Sequence, residues 1–350
     1  MIDMKARFKF FEPQTASENL WNLLYLFFKK IQLEMYPDDP IHSKETIKKD
    51  ILLPNPDMKN YRWFVYNKDE TQIIGSSRLS IYKKSSPAYE ANAHIAFGFL
   101  FVDQEFRRLG IGTDLLKILV TKALEEKKTV FQVGSHLQSA YAFCKVFGGK
   151  IAITEEESRL NLADIDWNMI EKWKKEGSSK AKGVSLKRFE TVAQDDIEDF
   201  CQLSTELLNQ VPKEDLEWEA NETPETRRQR EDREKKLGTI WTTIISREAN
   251  GTISGLTETF YHPDRATLLY QGLTGVKEEY RGRGLGKWLK AEMVSYVKER
   301  FPDVKSIVTD FALTNDPMIA INRRLGFKLY KKYKDYKFKV DELTRRLKDF

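Results

Sequence analysis

The sequence has only two cysteines in 350 residues, Cys144 and Cys201. They lie in different halves without metal-like spacing, so neither a disulfide framework nor a metal site is expected. A reducing compartment, the cytoplasm, fits this cysteine usage. No apolar run is long enough for a membrane span either. The stretch Leu20 to Phe28 is broken by Asn22 and falls well short of the ~20 residues a bilayer requires. It reads as a buried amphipathic helix, with no signal peptide ahead of it. An excess of one charge is also lacking. The 58 basic and 53 acidic residues are interleaved and leave a net +5, which argues against nucleic acid or membrane and for a small partner. Two phosphate signatures are missing as well. There is no G-x-x-x-x-G-K-[ST], and Gly282-Arg-Gly284-Leu-Gly286-Lys287 lacks the third glycine of the dinucleotide fingerprint, which excludes a P-loop nucleotidase and a Rossmann dehydrogenase.

What is present is enough apolar side chain, 41% of the residues, for two domains of roughly 150 to 180 residues each. The chain also repeats itself. Aligning Arg107 with Arg281 superposes Arg107-Arg108-Leu-Gly110-Ile111-Gly112 on Arg281-Gly282-Arg283-Gly284-Leu285-Gly286, both R-x-x-G-x-G. A strand-like run precedes each copy, His94 to Val102 and Thr267 to Val276. A helix follows each, with Ile111, Leu115, Leu119 and Ala123 in the same register as Leu285, Leu289, Met293 and Val297. Upstream, Tyr61–Tyr66 with Gln72–Gly75 reads as two strands of a meander, and Thr239–Ile245 with Thr252–Gly255 repeats it. Downstream, a strand and short helix end at Phe147-Gly148-Gly149 and again at Leu325-Gly326-Phe327. The expected layout is an N-terminal domain over 1–165, a connecting helix and flexible linker over 166–183, and a C-terminal domain over 184–350.

A strand that turns through two glycines into a helix exposes backbone N–H groups at the positive end of the helix dipole. Phosphate is the natural ligand there, with Arg107 or Arg281 adding charge. The plain alternative is a glycine-rich turn with surface arginines. Its recurrence in matched contexts weighs against that reading.

On these motifs both halves resemble the GCN5-related N-acetyltransferase (GNAT) family, whose [RQ]-x-x-G-x-[GA] loop holds the pyrophosphate of acetyl-CoA. The resemblance covers almost the whole chain, and the tandem layout is similar to that of mycothiol synthase-like acetyltransferases, although nothing identifies a mycothiol-type substrate. It implies an α+β fold of two modules, each a mixed, mostly antiparallel sheet flanked by helices. It also implies acetyl-CoA binding by Arg281, Gly282, Arg283, Gly284, Leu285 and Gly286, and by Arg107, Arg108, Gly110, Ile111 and Gly112 in the first half. The splayed end of the fourth strand would offer backbone groups at Leu273, Thr274, Gly275 and Val276, matched by Leu100, Phe101 and Val102, to bind pantetheine and polarise the thioester carbonyl. Asn315 matches the asparagine that contacts the pantetheine arm; the first half has no such residue.

Attack by an amine needs a proton acceptor. Glu258, on the third strand of the second half, is the leading candidate, followed by Asp310 on the fifth strand and by His262; the plain alternatives are a solvated strand carboxylate for Glu258 and a turn residue for His262. Many family members place a tyrosine four residues before the G-F glycine to protonate the departing thiolate. Here that position is Cys144 in the first half and Asn322 in the second. Asn322 can hydrogen-bond the sulfur region but is a poor proton donor, so water or Tyr330 is a possible substitute. Cys144 reads as a small buried residue, and His94 and His136 as structural. The acidic, aromatic stretch Glu214 to Glu222, with Glu217, Trp218 and Glu219, is a candidate to receive a cationic acceptor, or else a solvated loop; Arg227 to Lys236 reads as an exposed helix. The expected function is acetyl transfer to a small-molecule amine by a cytoplasmic monomer or homodimer, with the second half as catalyst. A non-catalytic CoA-binding regulatory or scaffold protein, or a transferase of longer acyl groups, remains open.

Overall fold

The computed structural model describes residues 7–350. The chain forms two compact units. Unit 1 takes the residues up to Thr154 together with Lys213–Trp218 and Tyr333–Phe350, and unit 2 takes Glu155–Pro212 and Glu219–Lys332.

The first half contributes β1 (Phe8–Phe10), α1 (Glu18–Met35), α2 (Lys44–Leu52), β2 (Met58–Tyr66), β3 (Ile73–Tyr82), α3 (Tyr89–Asn92), β4 (Ile95–Val102), α4 (Ile111–Glu125), β5 (Val130–Ser135), α5 (Gln138–Val146) and β6 (Lys150–Asn161). Ser17 starts α1 by accepting from the Leu20 N–H, and Trp21, Leu24, Phe27 and Ile31 turn one face of the helix into the core. This is the amphipathic helix expected from the sequence. The second half supplies α6 (Trp167–Lys180), β7 (Ser185–Phe189), α7 (Ile197–Gln210), α8 (Pro224–Leu237), β8 (Ile240–Arg247), β9 (Ile253–Tyr261), β10 (Leu268–Val276), α9 (Leu285–Arg300), β11 (Ser306–Ala312), α10 (Asp316–Leu325), β12 (Lys328–Lys339) and α11 (Val340–Arg346). The aligned stripes behave as the register requires: Ile111, Leu115, Leu119 and Ala123 are buried in α4, as are Leu285, Leu289, Met293 and Val297 in α9.

Each unit carries an antiparallel meander, β1 to β4 in unit 1 and β7 to β10 in unit 2, followed by one parallel strand. β5 runs parallel to β4, and β11 parallel to β10. The strands that close the two sheets do not follow chain order. β12 pairs antiparallel with β5 inside unit 1, whereas β6 pairs antiparallel with β11 inside unit 2. Val340, Leu343 and Leu347 fill the core formed by Leu119, Val120 and Phe131, so the C-terminal segment is an integral part of unit 1. At roughly 1.5–3 kcal/mol for each large apolar side chain buried, that packing is substantial.

Two local expectations change. Residues Glu176 to Lys180, read as flexible from their composition, continue α6. Gly177 is there for close approach rather than freedom, since a Cβ would lie 2.4 Å from Cβ of Trp288. The charged helix α8 is not fully exposed either: Arg227 is 1% exposed and Glu231 7%, because both are drawn into an ionic cluster under the sheet. Among the described residues no helix is long and apolar enough to cross a membrane.

Candidate functional site

The two R-x-x-G-x-G turns are built alike. Gly110 and Gly284 enter α4 and α9 in the left-handed conformation, and among the described residues no side chain caps either helix. Their first amides therefore lack a protein side-chain partner, the condition for anion binding at a helix start. Arg107 and Arg281 each donate Nε–H to the carbonyl that ends the preceding strand, Val102 at 2.9 Å and Val276 at 3.0 Å. The arginine thus clamps the turn as well as charging it.

The copies differ in what else the arginine touches. In unit 1 both carboxylate oxygens of Glu34 accept from the terminal nitrogen of Arg107, at 2.8 and 2.6 Å, and Glu34 is largely buried. In unit 2 the equivalent nitrogen of Arg281 donates to the neutral side chain of Gln210. Arg281 therefore keeps its net charge for a ligand, while Arg107 is neutralised. One terminal nitrogen of Arg283 donates to both carboxylate oxygens of Glu248, at 3.0 and 2.9 Å. Backbone fit differs too. Gly282 adopts φ 80°, and the same place in unit 1 forces Arg108 to φ 64°, a conformation that costs a non-glycine residue about 1–2 kcal/mol.

The strand leading into the turn also differs between the units. β10 pairs with β9 through Gln271↔Thr259 and then Thr274↔Thr257, so Gly272 and Leu273 bulge opposite the single residue Glu258. β4 runs against β3 without a shift from Phe97 to Val102. Both strands leave their parallel neighbour after three residue pairs, at Tyr270↔Val308 and at Phe97↔Gln132. Only unit 2 combines the divergence with a bulge, which interrupts the regular ladder at its mouth. Leu273 packs on the cluster of Phe200, Leu203 and Leu207, and Thr274 Oγ1 lies 2.7 Å from Thr257 Oγ1. Gly275 faces Leu207, so the strand end is fixed from one side. Phe101, the counterpart in unit 1, sits in the core against Phe27, at 5.9 Å between ring centres.

Glu258 lies on β9 opposite the bulge, but its Oε1 accepts from Arg227 at 2.9 Å, Trp241 Nε1 at 3.1 Å and Thr243 Oγ1 at 3.1 Å. Burial pushes its carboxyl upward against the pull of Arg227. Burial works against the Arg227 charge as well, yet Glu258, Glu222 and Glu231 outweigh it and hold the guanidinium firmly protonated. Asp310 is in register with Glu157 on β6 and keeps solvent contact as a residue. Desolvation of the carboxyl by its surroundings, followed by the charges of Glu157 and Glu155 and only partly offset by Arg159, pushes it up to about 7. By strand alternation Glu258 and Asp310 share the sheet face turned away from α9, because Thr259 bonds Met293 of α9 and Ile307 packs in the α9 core.

Asn315 stands at the start of α10, where its side chain makes no cap. Asn322, one face further along, is fully buried and accepts from Lys290 Nζ at 2.8 Å. His262 serves a turn: Nε2 lies 3.0 Å from the Leu237 carbonyl, and Nδ1 accepts from the Asp264 N–H. Tyr330 is stacked under Arg159, 3.4 Å from its ring centre. In unit 1, His94 pairs with Glu217 at 3.1 Å, His136 is packed between the rings of Tyr36 and Tyr333, and burial pushes the Cys144 thiol up to about 12, which leaves it inert. The stretch expected to receive an acceptor is divided: Lys213–Trp218 belongs to unit 1, where Lys337 engages Glu217 at 2.9 Å, and the residues from Glu219 to Glu222 belong to unit 2.

Sequence reasoning missed Lys290, which is 1% exposed inside unit 2. Its signal was available in the α4/α9 register, which sets Lys290 opposite Leu116 in an otherwise apolar column. Arg227 was missed because its partner Glu258 is 31 positions away.

Comparison with known proteins bears on this geometry. The model of the acetyltransferase (GNAT) family matches residues 22–148 and again 206–327. No curated protein sequence matches the chain significantly. Among solved structures, a tandem GNAT protein from the clavulanic acid biosynthesis pathway aligns with a TM-score of 0.72 at 20% identity, covering 95% of this chain and 98% of that one. A GCN5-related N-acetyltransferase from Sphaerobacter thermophilus gives 0.64 at 16% identity over 96% and 97%. The GCN5-related glucosamine N-acetyltransferase region of a fungal multi-domain GH3 β-N-acetylglucosaminidase gives 0.62 at 14% identity, covering 95% of this chain and 38% of that one. At these identities the structural likenesses establish the fold, while the doubled family match covers most of the sequence: the chain belongs to the GNAT acetyltransferase family and is an acyltransferase built from two tandem GNAT modules.

Proposed function

We propose that the protein is an acetyl-CoA-dependent N-acetyltransferase acting on a small cationic amine, with unit 2 as the catalyst. The family generally draws on acyl-CoA, which supplies an activated thioester when bound. The observation that carries the reading is the contrast within unit 2's favour: an uncapped helix start beside an arginine free of carboxylate, next to a strand that both bulges and diverges.

In this reading the amides from Arg283 to Gly286, with Arg281, Gly282 and Gly284, hold the diphosphate, as suits an open helix N-terminus. Leu273, Thr274, Gly275 and Val276 line the pantetheine arm with Asn315, and amides at the bulge polarise the thioester carbonyl. Asp310 takes the amine proton. A carboxyl near 7 that retains solvent contact is poised to accept and return a proton at neutral pH, whereas Glu258 is locked by Arg227. Glu155 and Glu157, whose charges already act on Asp310, favour a cationic acceptor. Unit 1, with Arg107 neutralised by Glu34 and β4 unbulged, is assigned a structural role.

The test measures thiol release from acetyl-CoA and from longer acyl-CoAs across a panel of small amines, with calorimetry on wild type and Arg281→Ala. Expected is turnover with acetyl-CoA and at least one amine, and one binding site that Arg281→Ala weakens. Tight binding without turnover on any amine would make the protein a non-catalytic CoA binder. Faster release from a longer acyl-CoA would reassign the donor.

A further inference from the structure

Lys290 presents an energetic problem that the fold does not solve. Its ammonium is buried in α9, and the groups within reach of Nζ are the carboxamide oxygens of Asn322 at 2.8 Å and Gln271 at 3.4 Å, with the ring of Phe327 at 5.5 Å. None of these carries a charge. Burial is the cause that lowers its pKa, to about 7, with no carboxylate acting on it. Burying an unpaired ammonium is costly, and packed apolar side chains of similar size are the stable alternative.

Unit 1 shows that alternative in place. The helix register puts Leu116 where unit 2 has Lys290, and the strand register puts Gly98 where unit 2 has Gln271. The matching turns after α5 and α10, Gly149 N–H to Cys144 carbonyl and Phe327 N–H to Asn322 carbonyl, put Cys144 where unit 2 has Asn322. All three polar residues are absent from the copy that lacks the bulge. In unit 2 they are tied to it: Gln271 immediately precedes the bulge and donates Nε2–H to Thr257 Oγ1 at 2.9 Å and to Thr274 Oγ1, just past the bulge, at 3.3 Å.

A second observation points to a ligand. Since Oδ1 of Asn322 faces the lysine, its Nδ2 is the donor end, and among the described residues that buried NH2 has no acceptor. An ammonium with only neutral oxygens to accept from it and an amide NH2 with no acceptor therefore lie side by side, short of an anionic partner for the one and an electron-rich partner for the other. A thioester sulfur, and still more the thiolate it becomes, is such a partner.

We propose that Lys290, held by Asn322, is the proton donor to the leaving sulfur in acyl transfer by unit 2. The inference rests on the acyl-CoA reading above. As the amine nitrogen bonds the acyl carbon, the C–S bond breaks with its electron pair going to sulfur. Nζ of Lys290 gives sulfur a proton and becomes a neutral amine. The proton lost by the substrate amine goes to Asp310 on the opposite face of the sheet, and solvent exchange restores both groups. The proton donor and acceptor thus occupy different faces of the opened sheet.

The test uses the full chain with 15N-labelled lysine, the Lys290 Nζ signal being identified by its loss in Lys290→Leu, the substitution that installs unit 1's own residue. Its titration is followed alone, with CoA and with desulfo-CoA. Expected is a midpoint raised by about one unit or more with CoA relative to desulfo-CoA, because only the former brings a thiolate. Lys290→Leu should bind desulfo-CoA as well as wild type, bind CoA more weakly, and lose about 10²-fold in kcat. Equal midpoints with both bound ligands, or unchanged kcat in Lys290→Leu, would overturn the proposal while leaving the acyl-CoA reading intact. Failure of CoA to bind unit 2 would overturn both.

Discussion

Arg107 places one guanidinium nitrogen against both carboxylate oxygens of Glu34, where its counterpart Arg281 meets the amide of Gln210. The same motif thus has a different net charge in each copy. Charge-assisted hydrogen bonds to a phosphate contribute roughly 1.5–3 kcal/mol each. Arg281→Ala should therefore weaken CoA binding by about 10-fold or more by calorimetry, while Arg107→Ala leaves the measured isotherm unchanged. Equal losses in the two variants would show that Glu34 does not silence the first copy.

The cluster of Arg227, Glu231 and Glu258 makes a different prediction, for stability. Arg227 carries Glu258 and Glu231 at 2.9 Å each and lies between the rings of Phe200 and Trp241, at 4.5 and 3.7 Å. Arg227→Met strands two buried carboxylates, and removal of one partner from a buried pair costs about 3–5 kcal/mol. Urea denaturation should show that loss near neutral pH. The double variant Arg227→Met with Glu258→Gln should recover part of it, since one stranded charge is gone. A single variant as stable as wild type would mean that the cluster is not ionised.

How much of this was legible beforehand follows from the range of each interaction. The repeat was readable because it lies in local pattern: glycines at fixed offsets and an apolar stripe running from Leu285 to Val297. The division of roles between copies was not, because it depends on residues far apart in the chain, Glu34 for Arg107 and Gln210 for Arg281. Glu258 was rightly placed on the third strand, but nothing in its neighbourhood announced Arg227 from the next helix upstream. The closing strands were equally opaque. β6 and β12 are both strand-like with charged flanks, and only three-dimensional pairing sets Glu157 beside Asp310 and Asp335 beside Gly134.

Lys290 gives a pH signature independent of any substrate. Its folded-state pKa lies below its ordinary 10.5, at about 7. Between those values the unfolded chain binds more protons, so this residue makes stability rise with pH over that window; below about 7 the full penalty of a buried charge is present. Lys290→Met should be more stable than wild type at pH 6, with the gap closing as pH approaches 10. Urea midpoints at pH 6 and 9.5 check this, and a gap independent of pH would mean that the lysine does not titrate in that range.

Gly177 separates two readings of the segment after Lys174. Were it a flexible linker or an exposed helical position, Gly→Ala would stabilise, by up to about 1 kcal/mol. In the structure it lies inside α6, and an added Cβ would meet Trp288 at 2.4 Å to Cβ and 2.6 Å to Cγ. The Trp288 Cβ is fixed by the backbone, so no rotation about χ angles clears the 2.4 Å contact. Either α6 or α9 must shift, and overpacking of this kind costs roughly 1–3 kcal/mol. Because Trp288 follows the glycine turn by one helical turn and is hydrogen-bonded to Glu292 at 3.0 Å, a shift of α9 would also move the amides at Leu285 and Gly286. Gly177→Ala should therefore lower the denaturation midpoint and weaken CoA binding together, while Gly251→Ala, with open space around it, lowers stability through its φ of 91° alone and leaves binding unchanged. A Gly177→Ala protein with a raised midpoint would restore the linker reading.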